Sequence, residues 1–315
     1  MSAIAPPASD YEIATERCGL IDRSERGKLA FAGAGAAEFL QGQVTNDVEA
    51  LAPGTGCYAA LLTPKGKMLA DLRILNTGQE LFVDTERGTL QELFNALRRT
   101  MIGFDAQLHK RTLERALLSL IGPQAPGVAG VPQLREAPEH TNVVAAPAGI
   151  DALAVRTDLG IDLICDSAQT AALLAALRDA GATVIGEAAA ECLRVEHGRP
   201  RYGLDLDDSV IPQEAGLNDR AVSFTKGCYV GQETVARLYY RGKPNRHLRG
   251  LRLAAPEPTG TPLRSGEREV GHLGSVALSP RFGAIGLALV RREVEIGSIV
   301  AVGGTEAEVL ELPFA

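Results

Sequence analysis

The sequence contains no tryptophan, and aromatic residues make up only 4% of its 315 positions. Alanine, leucine and valine must therefore fill most of the core. No apolar run approaches the roughly 20 residues that a membrane-spanning helix needs, which argues against a membrane protein. The first 14 residues lack a basic segment followed by an apolar one. We interpret them as a flexible lead rather than a signal peptide and expect a cytoplasmic protein.

Cysteine is scarce as well. The five cysteines stand at positions 18, 57, 165, 192 and 228, and no two form a CxxC pair. An odd, scattered set argues against a disulfide framework and against a zinc or cluster site built from one short segment. A metal would have to be bound by residues distant in sequence or shared with a partner.

Basic residues are not in excess, because the net charge is −7. This argues against a general nucleic-acid coat, although it permits a local basic patch. The stretch 226–252 is such a patch, with Glu233 as its single acid and seven basic residues: Lys226, Arg237, Arg241, Lys243, Arg246, Arg249 and Arg252. It could bind a polyanion such as RNA, bind the carboxylates of a small molecule, or pair with the acids at 205–219.

A chain of this length predicts two or three domains. Strand and helix patterns alternate up to about residue 245, and residues 122–140, rich in proline and glycine, predict a loop. Short β-rich runs follow, typical of a small barrel or sandwich. We therefore expect an α+β protein with two mixed lobes, 1–145 (including the flexible lead) and 146–245, and a small β-barrel or sandwich at 246–315.

The segment FTKGCYVGQE (224–233) places Cys228 among glycines and two residues after Lys226. A nearby cation favours the reactive thiolate, and the glycines permit close approach of a ligand or partner. Most free cysteines, however, are small buried apolar side chains. The residues alone leave both interpretations open.

Two carboxylates are further candidates. Glu196 falls in the last turn of a predicted helix, where the helix dipole disfavours an anion, so it could contact a ligand or be offset by neighbouring basic residues. Asp71 lies in the middle of the predicted strand KMLADLRIL (67–75) and shares one face with Arg73. That face could border solvent or a cleft.

The segment LRVEHGRPRYGLDLDDSVIPQEAGLNDRAVSFTKGCYVGQETVARLYYRG (193–242) resembles the signature of the YgfZ family of folate-binding proteins. KGCYVGQE is its most specific part, and RVEHGRP and IPQE precede it. Weaker similarity lies in FLQGQVTNDV (39–48), LTPKGKMLADL (62–72) and GSVALSPRFGAIGLALV (274–290). The last is similar to the C-terminal domain of the glycine-cleavage T-protein, an aminomethyltransferase.

The resemblance implies a three-lobed molecule with a central opening for tetrahydrofolate and a C-terminal β-barrel. It also implies a role in making or repairing iron–sulfur clusters, and through them in supporting tRNA-modifying enzymes. Cys228 matches the cysteine regarded as functional in the family, and Asp71 falls at the T-protein aspartate that serves its folate chemistry. The other candidate ligand-binding residues carried over or inferred are Arg194, Glu196, Gln213, Lys226, Tyr229, Glu233, Arg237 and Arg241.

Two departures from the T-protein pattern are visible. Its tyrosine and glutamate are missing from RTDLGIDLI (156–164), and Ala190 replaces its arginine. The loss of these ligands argues against an ordinary aminomethyltransferase.

We therefore expect a protein that binds tetrahydrofolate or a one-carbon derivative. Asp71 or Glu196 would accept from pterin N–H groups, and arginines near 237–241 would face the glutamate tail. Cys228 would act beside the folate as a thiolate, as a shared cluster ligand or in redox or one-carbon exchange. Iron–sulfur assembly or client proteins are the expected partners, and no membrane or direct nucleic-acid partner is expected. A folate-dependent aminomethyltransferase and a non-catalytic RNA or protein adaptor are the alternatives, and the sequence does not decide whether any reaction is catalysed.

Overall fold

The structure is a computed structural model that describes residues 3–314. In chain order its helices and strands are α1 (Ala8–Glu16), β1 (Gly19–Asp22), β2 (Gly27–Ala32), α2 (Ala36–Gln43), β3 (Thr55–Leu62), β4 (Met68–Asn76), β5 (Leu81–Thr85), α3 (Leu90–Thr100), β6 (Gln107–Lys110), β7 (Arg115–Ile121), α4 (Ala125–Val128), β8 (Asn142–Ala145), β9 (Ala152–Arg156), β10 (Gly160–Asp166), α5 (Thr170–Asp179), β11 (Thr183–Val184), α6 (Glu187–Glu196), α7 (Asn218–Ala221), α8 (Gln232–Arg241), β12 (Arg246–Leu253), β13 (Pro262–Ser265), β14 (Arg268–Ser279), β15 (Gly283–Arg291), β16 (Ile299–Val302) and β17 (Thr305–Leu310).

The first sheet has five antiparallel strands in the order β3-β4-β5-β2-β6. Helices α2 and α3 cover one face. Along β4, Leu72 and Ile74 lie in the core under these helices, whereas Asp71 and Arg73 line a cavity on the other face. The alternation predicted from the sequence is thereby confirmed for these residues. Met68 instead joins a different core cluster, because the pairing of β3 and β4 shifts register beside it.

The second sheet has six strands in the order β11-β1-β7-β10-β9-β8, antiparallel except for the β1–β11 pair. Leu173 and Leu177 of α5 lie in the apolar core on its outer face. The inner faces of the two sheets meet at an apolar cluster that contains Leu75 and Phe82 from the first sheet and Leu117 from the second. This cluster fixes the separation of the sheets beside the cavity.

Sheet membership does not follow the division predicted at residue 145. Strands β1, β7 and β8 precede that position, yet all three belong to the second sheet. The chain therefore starts in the second sheet, builds the first sheet over residues 27–110, and returns. A local strand pattern cannot reveal this, because it does not name the partner strand.

The flexible lead expected at residues 1–14 is also corrected for the part that the structure describes. Ile4 forms a β-bridge with Ala277 of the barrel, and residues 8–16 form α1. Ala14 is buried, and the Tyr11 hydroxyl donates to both carboxylate oxygens of Glu196 at 3.0 Å. These contacts hold the segment against α6 and the barrel.

The C-terminal unit is a closed six-stranded barrel in the order β12-β15-β14-β13-β16-β17, with β17 pairing back to β12. Helix α6 packs on its outside, where Cys192 and Val195 meet Ile285 and Leu287. The predicted α+β fold with two mixed lobes and a C-terminal β-barrel is confirmed. Helix α6 thus has one side on the barrel and the other at the cavity lined by Asp71 and Arg73.

Candidate functional site

A cavity of about 620 Å³ lies between the inner faces of the two sheets and one side of α6. We call it the central cavity. Its wall is rich in charged and hydrogen-bonding side chains. They include Arg26, Tyr58, Asp71, Arg73, Asp84, Glu86, Ser119, Glu139, His140, Asp158, Asp162, Glu191, Arg194, Arg199, Arg201 and Arg220.

Strands β3 and β4 supply one wall. Tyr58 lies opposite Arg73 in the pairing, and Asp71 lies on the same face. The Tyr58 hydroxyl donates to Asp71 Oδ2 at 2.6 Å. Burial raises the pKa of Asp71 to about 6, although the bond from Tyr58 opposes that shift. This carboxyl can therefore change its protonation state close to neutral pH.

Arg73 connects the two sheets across the floor of the cavity. Its Nη1 donates to Asp162 Oδ2 of β10 at 2.7 Å, and its Nη2 lies 2.9 Å from Asp84 Oδ2 of β5. Asp162 also accepts from Ser119 at 2.6 Å. Charge pairing with Arg26 and Arg73 outweighs burial and lowers the pKa of Asp84. The Arg73 guanidinium is thus committed to these two carboxylates, and Asp71 has no such partner among the described residues.

Helix α6 supplies another wall. Arg194 donates to Glu191, Asp205 and Ser275, the last two at 3.0 and 2.6 Å. It therefore ties α6 to the barrel at the edge of the cavity. Ala190, which stands where the T-protein pattern has an arginine, also lines the cavity. This part of the wall consequently lacks the guanidinium that the pattern would supply.

The remaining rim is closed by ion pairs between segments distant in sequence. Glu139 accepts from Arg199 at 3.3 Å and from Arg220 at 3.2 Å. The Arg220 guanidinium lies over the Tyr58 ring, 4.9 Å from its centroid. Arg201 donates to Glu86 at 2.9 Å. Arg201 and Arg220 keep side-chain exposures of 37% and 30%, so they remain accessible to an anion.

Of the residues singled out from the sequence, Asp71 and Arg194 line the central cavity. Glu196 does not. Its carboxylate faces the barrel and accepts from Tyr11, from Ser279 at 2.5 Å and from the Cys192 thiol at 3.5 Å. Hydrogen bonds from α1, α6 and the barrel therefore stabilise the Glu196 carboxylate at the end of the helix where the dipole disfavours it. The carboxylate needs no ligand for this.

Lys226, Tyr229 and Gln213 also lie outside the cavity lining. The Lys226 ammonium donates to the carbonyls of residues 41, 44 and 46 at 2.6–2.8 Å, and burial lowers its pKa to about 8. Tyr229 is buried in an apolar cluster, and Gln213 donates to the Val235 carbonyl at 2.6 Å. Lys226 thus holds the segment before Cys228 to the end of α2, Tyr229 packs it against β3 and β4, and Gln213 ties its own loop to α8.

Cys228 is exposed on the loop before α8. The alternative interpretation, that it is a small buried apolar side chain, is therefore wrong. The predicted activation by Lys226 needs correction, because that ammonium is engaged by backbone carbonyls. Gly231 explains part of the motif. Its φ is 84°, and a Cβ there would lie 2.5 Å from the Thr63 carbonyl oxygen. Glycine therefore lets the loop close against the β3–β4 turn.

The basic stretch is divided by the structure. Arg246 pairs with Glu214 and Arg252 with Glu308. Glu233, Arg237 and Arg241 are exposed on α8 and do not line the central cavity. The expectation that these arginines face a glutamate tail within the cleft therefore does not match their positions. Arg201 and Arg220 occupy the rim instead.

Within residues 3–314, no cluster of three or more histidine, cysteine, aspartate or glutamate side chains could hold a metal ion. None of the helices described there is both long and apolar enough to cross a membrane.

Two domain families match consecutive parts of the chain. The GCVT N-terminal domain model matches residues 5–226, and the CAF17 C-terminal β-barrel domain model matches residues 247–313. An aminomethyltransferase from Rubrobacter xylanophilus is 30% identical over 97% of this chain and 85% of its own length. A putative chloroplastic transferase from Arabidopsis thaliana is 27% identical over 90% of this chain and 68% of its own length.

The fold agrees with these matches. The crystal structure of the glycine cleavage system aminomethyltransferase T from Bartonella henselae superposes with a TM-score of 0.87 at 26% identity, covering 98% of this chain and 89% of that one. The GCVT match alone covers more than half of the chain, and the CAF17 match covers the barrel. The protein belongs to the YgfZ/CAF17 family, in which a GCVT domain is followed by a CAF17-type C-terminal barrel.

Proposed function

We propose that this protein binds a reduced folate in the central cavity and, through Cys228, supports the assembly or repair of iron–sulfur clusters in the cytoplasm. The observation that carries the folate part is Asp71 in the cavity wall, since the family resemblance implies that the T-protein aspartate of folate chemistry falls at this position. A volume of about 620 Å³ lies within the range of about 300 to 1,000 Å³ that is usual for small-molecule sites.

The residues of the cavity fit such a ligand. The Asp71 carboxyl accepts one hydrogen bond from Tyr58 and keeps lone pairs for pterin N–H groups. Arg201 and Arg220 on the rim would hold the carboxylates of the glutamate tail, because guanidinium groups bind carboxylates by paired hydrogen bonds. This assignment replaces Arg237 and Arg241. Bound folate would supply one-carbon and redox chemistry, and these side chains would bind and orient it.

Cys228 carries the second part of the proposal. Its thiol is exposed on a loop outside the cavity lining, so it can reach a partner protein while a ligand occupies the cavity. A cluster would have to be shared with that partner, because a single thiol supplies one ligand of the four that a cluster usually takes. The iron–sulfur assembly or client protein is thus expected to contribute the other ligands.

The folate part is tested by anaerobic calorimetry with tetrahydrofolate and reduced cysteines. We expect saturable binding by the wild type and about tenfold weaker binding by Asp71→Asn, because the amide replaces an acceptor oxygen by a donor. Asp151→Asn, an exposed aspartate outside the cavity lining, is the matched control and should bind as the wild type. Absence of binding by folded wild-type protein would refute the folate part.

The Cys228 part is tested by complementation of a strain that lacks the protein, with the activity of an iron–sulfur enzyme as readout. Cys228→Ser should fail to restore that activity while its folate affinity and stability stay within error of the wild type. Full complementation by this variant would refute a role for the thiol.

A folate-dependent aminomethyltransferase is the second candidate, favoured by the name and 30% identity of the Rubrobacter relative. It predicts turnover with an aminomethyl-lipoyl carrier protein. Ala190 in the cavity wall argues against it, because that position lacks the arginine of the T-protein pattern. Turnover of the carrier by the purified wild type would decide for this alternative.

A further inference from the structure

His140 has an unusual backbone conformation. Its φ is 72°, and within residues 3–314 the only other non-glycine residue with positive φ is Ala148. Side chains with a Cβ rarely adopt this left-handed region, and residues held there against the steric preference cluster at functional sites. Ala148 lies in an exposed turn, whereas His140 lines the central cavity. The strained residue His140 therefore lies at the candidate ligand site.

The surrounding backbone holds His140 in this conformation. Its N–H donates to the Arg156 carbonyl at 2.8 Å, and its own carbonyl accepts from the Asn142 side chain at 3.3 Å. A Cβ added to Gly56 of β3 would lie 3.1 Å from the His140 Cβ. The glycine thus permits His140 to approach β3 at a point two residues from Tyr58, on the cavity face.

The His140 imidazole makes no hydrogen bond with any described residue. Nδ1 is fully enclosed and has no partner, and Nε2 lies 3.7 Å from Glu139 Oε1, beyond hydrogen-bonding distance. The side chain is 12% exposed, so Nε2 is the nitrogen left to face the cavity. An enclosed N–H without a partner is rarer than an enclosed acceptor without one, which favours the tautomer with the proton on Nε2.

The charge state of the ring agrees with this geometry. Burial lowers the pKa of His140 to about 4, and Arg73 and Arg199 act in the same direction against Glu139 and Asp158. The imidazole is therefore neutral at physiological pH and offers one N–H donor to the cavity.

We propose that His140 is a ligand-contacting residue whose Nε2–H donates to an acceptor, a carbonyl oxygen or ring nitrogen, on the pterin ring of the folate. This inference rests on the proposed function. Residues two apart on one strand face are separated by about 7 Å, so Asp71 with its partner Tyr58 and His140 over Gly56 flank a short stretch of the β3–β4 face. Asp71 would accept from one side of the flat ring system and His140 would donate to another, which makes the pair selective for a heterocycle with both kinds of group.

The test compares His140→Gly with Ala148→Gly by tetrahydrofolate calorimetry and thermal unfolding. Both variants relieve a left-handed residue and add the same glycine freedom to the unfolded chain, but only the first removes a cavity side chain. We expect His140→Gly to lower Tm more than Ala148→Gly, because it also removes a mostly buried ring. His140→Gly should bind about tenfold more weakly, the loss of roughly one hydrogen bond, and Ala148→Gly should bind normally. His140→Asn, which tolerates the backbone and offers an amide donor, should recover part of the affinity.

Each other outcome overturns the inference. Unchanged affinity in His140→Gly would show that the ring does not contact the ligand while leaving the folate proposal intact. Affinity that falls in His140→Gly but is not recovered at all in His140→Asn, while Tm is recovered, would make His140 a packing residue. Absence of binding by the wild type would refute the folate proposal itself, and the role of His140 with it.

Discussion

Asp71 differs from the other carboxylates of the cavity floor because no guanidinium is committed to it among the described residues. Asp84 and Asp162 are each paired with Arg73, whereas Asp71 accepts from the neutral Tyr58 hydroxyl. Burial without a paired cation disfavours the charged form. Its pKa near 6, against an ordinary 3.8, follows from this arrangement.

This shift predicts a pH dependence of stability that Asp71→Asn removes. Between pH 4 and 6 the folded state binds more protons at Asp71 than the unfolded state does, so its contribution falls as pH rises through that window. The wild type should lose up to about 3 kcal/mol of unfolding free energy relative to Asp71→Asn between pH 4 and pH 7. Urea unfolding of both proteins at the two pH values measures it. His140, whose lowered pKa gives the opposite slope, is present in both proteins and cancels. A constant difference between them would show that the carboxyl titrates normally.

At the scale of elements, the loop before α8 has separate structural and exposed parts. The Lys226 ammonium closes the end of α2 by donating to three carbonyls, two of them at 2.8 Å, and Tyr229 anchors the loop in an apolar cluster. Cys228 lies between these two anchors and is exposed. The two anchors therefore hold the loop so that the Cys228 thiol stays exposed. Among the described residues, neither anchor forms a hydrogen bond with that thiol.

Lys226→Met should therefore destabilise the fold, and Cys228→Ser should not. Methionine keeps the apolar stem but removes three hydrogen bonds, at a cost of about 3 kcal/mol in unfolding free energy. Cys228→Ser changes an exposed side chain and should stay within about 0.5 kcal/mol of the wild type. Denaturant unfolding measures both, with the exposed Lys243→Met as control for loss of a surface charge. If Lys226→Met were as stable as the wild type but failed to complement, Lys226 would instead act in the chemistry of Cys228.

At the scale of the whole molecule, the sequence predicts features that depend on local pattern. It does not predict features that depend on contacts between segments distant in the chain. Strand periodicity placed Asp71 and Arg73 on one face, and the change in pattern near 245 indicated the barrel. The pattern could not show that β1 and β7 join the second sheet, because pairing partners are chosen across the whole chain. His140 was missed for a related reason: proline and glycine predicted a loop at 122–140, but nothing local indicates that its end lines a cavity.

Charge clusters were misleading in the same way. Arg237 and Arg241 looked suited to an acidic ligand, yet they face outward from α8. The arginines on the rim, Arg201 and Arg220, are well separated in sequence and meet at the cavity only through folding. A site assembled from both sheets and α6 therefore has no compact sequence signature beyond the residues that match the family motif.

Glu196 is the group that joins the most distant parts of the chain. Its carboxylate accepts from Tyr11 of α1 and from Ser279 of the barrel, while its backbone carbonyl accepts from the N–H of Phe314 at 2.9 Å. The N-terminal helix, α6, the end of β14 and the segment after β17 thus meet at one buried residue. This position explains a conspicuous acid in the motif without a ligand contact.

Glu196→Ala should consequently lower stability without weakening folate binding. The change leaves the hydroxyls of Tyr11 and Ser279 without their acceptor and opens a space between α6 and the barrel, at a cost of about 3 kcal/mol in unfolding free energy. Tetrahydrofolate affinity, measured by calorimetry at a temperature where the variant is folded, should equal that of the wild type because Glu196 does not line the central cavity. Glu12→Ala, an exposed acid on α1, serves as control and should alter neither quantity. Loss of affinity with unchanged stability would instead place Glu196 among the folate ligands, and would require that the cavity extend to the far side of α6 when the ligand is bound.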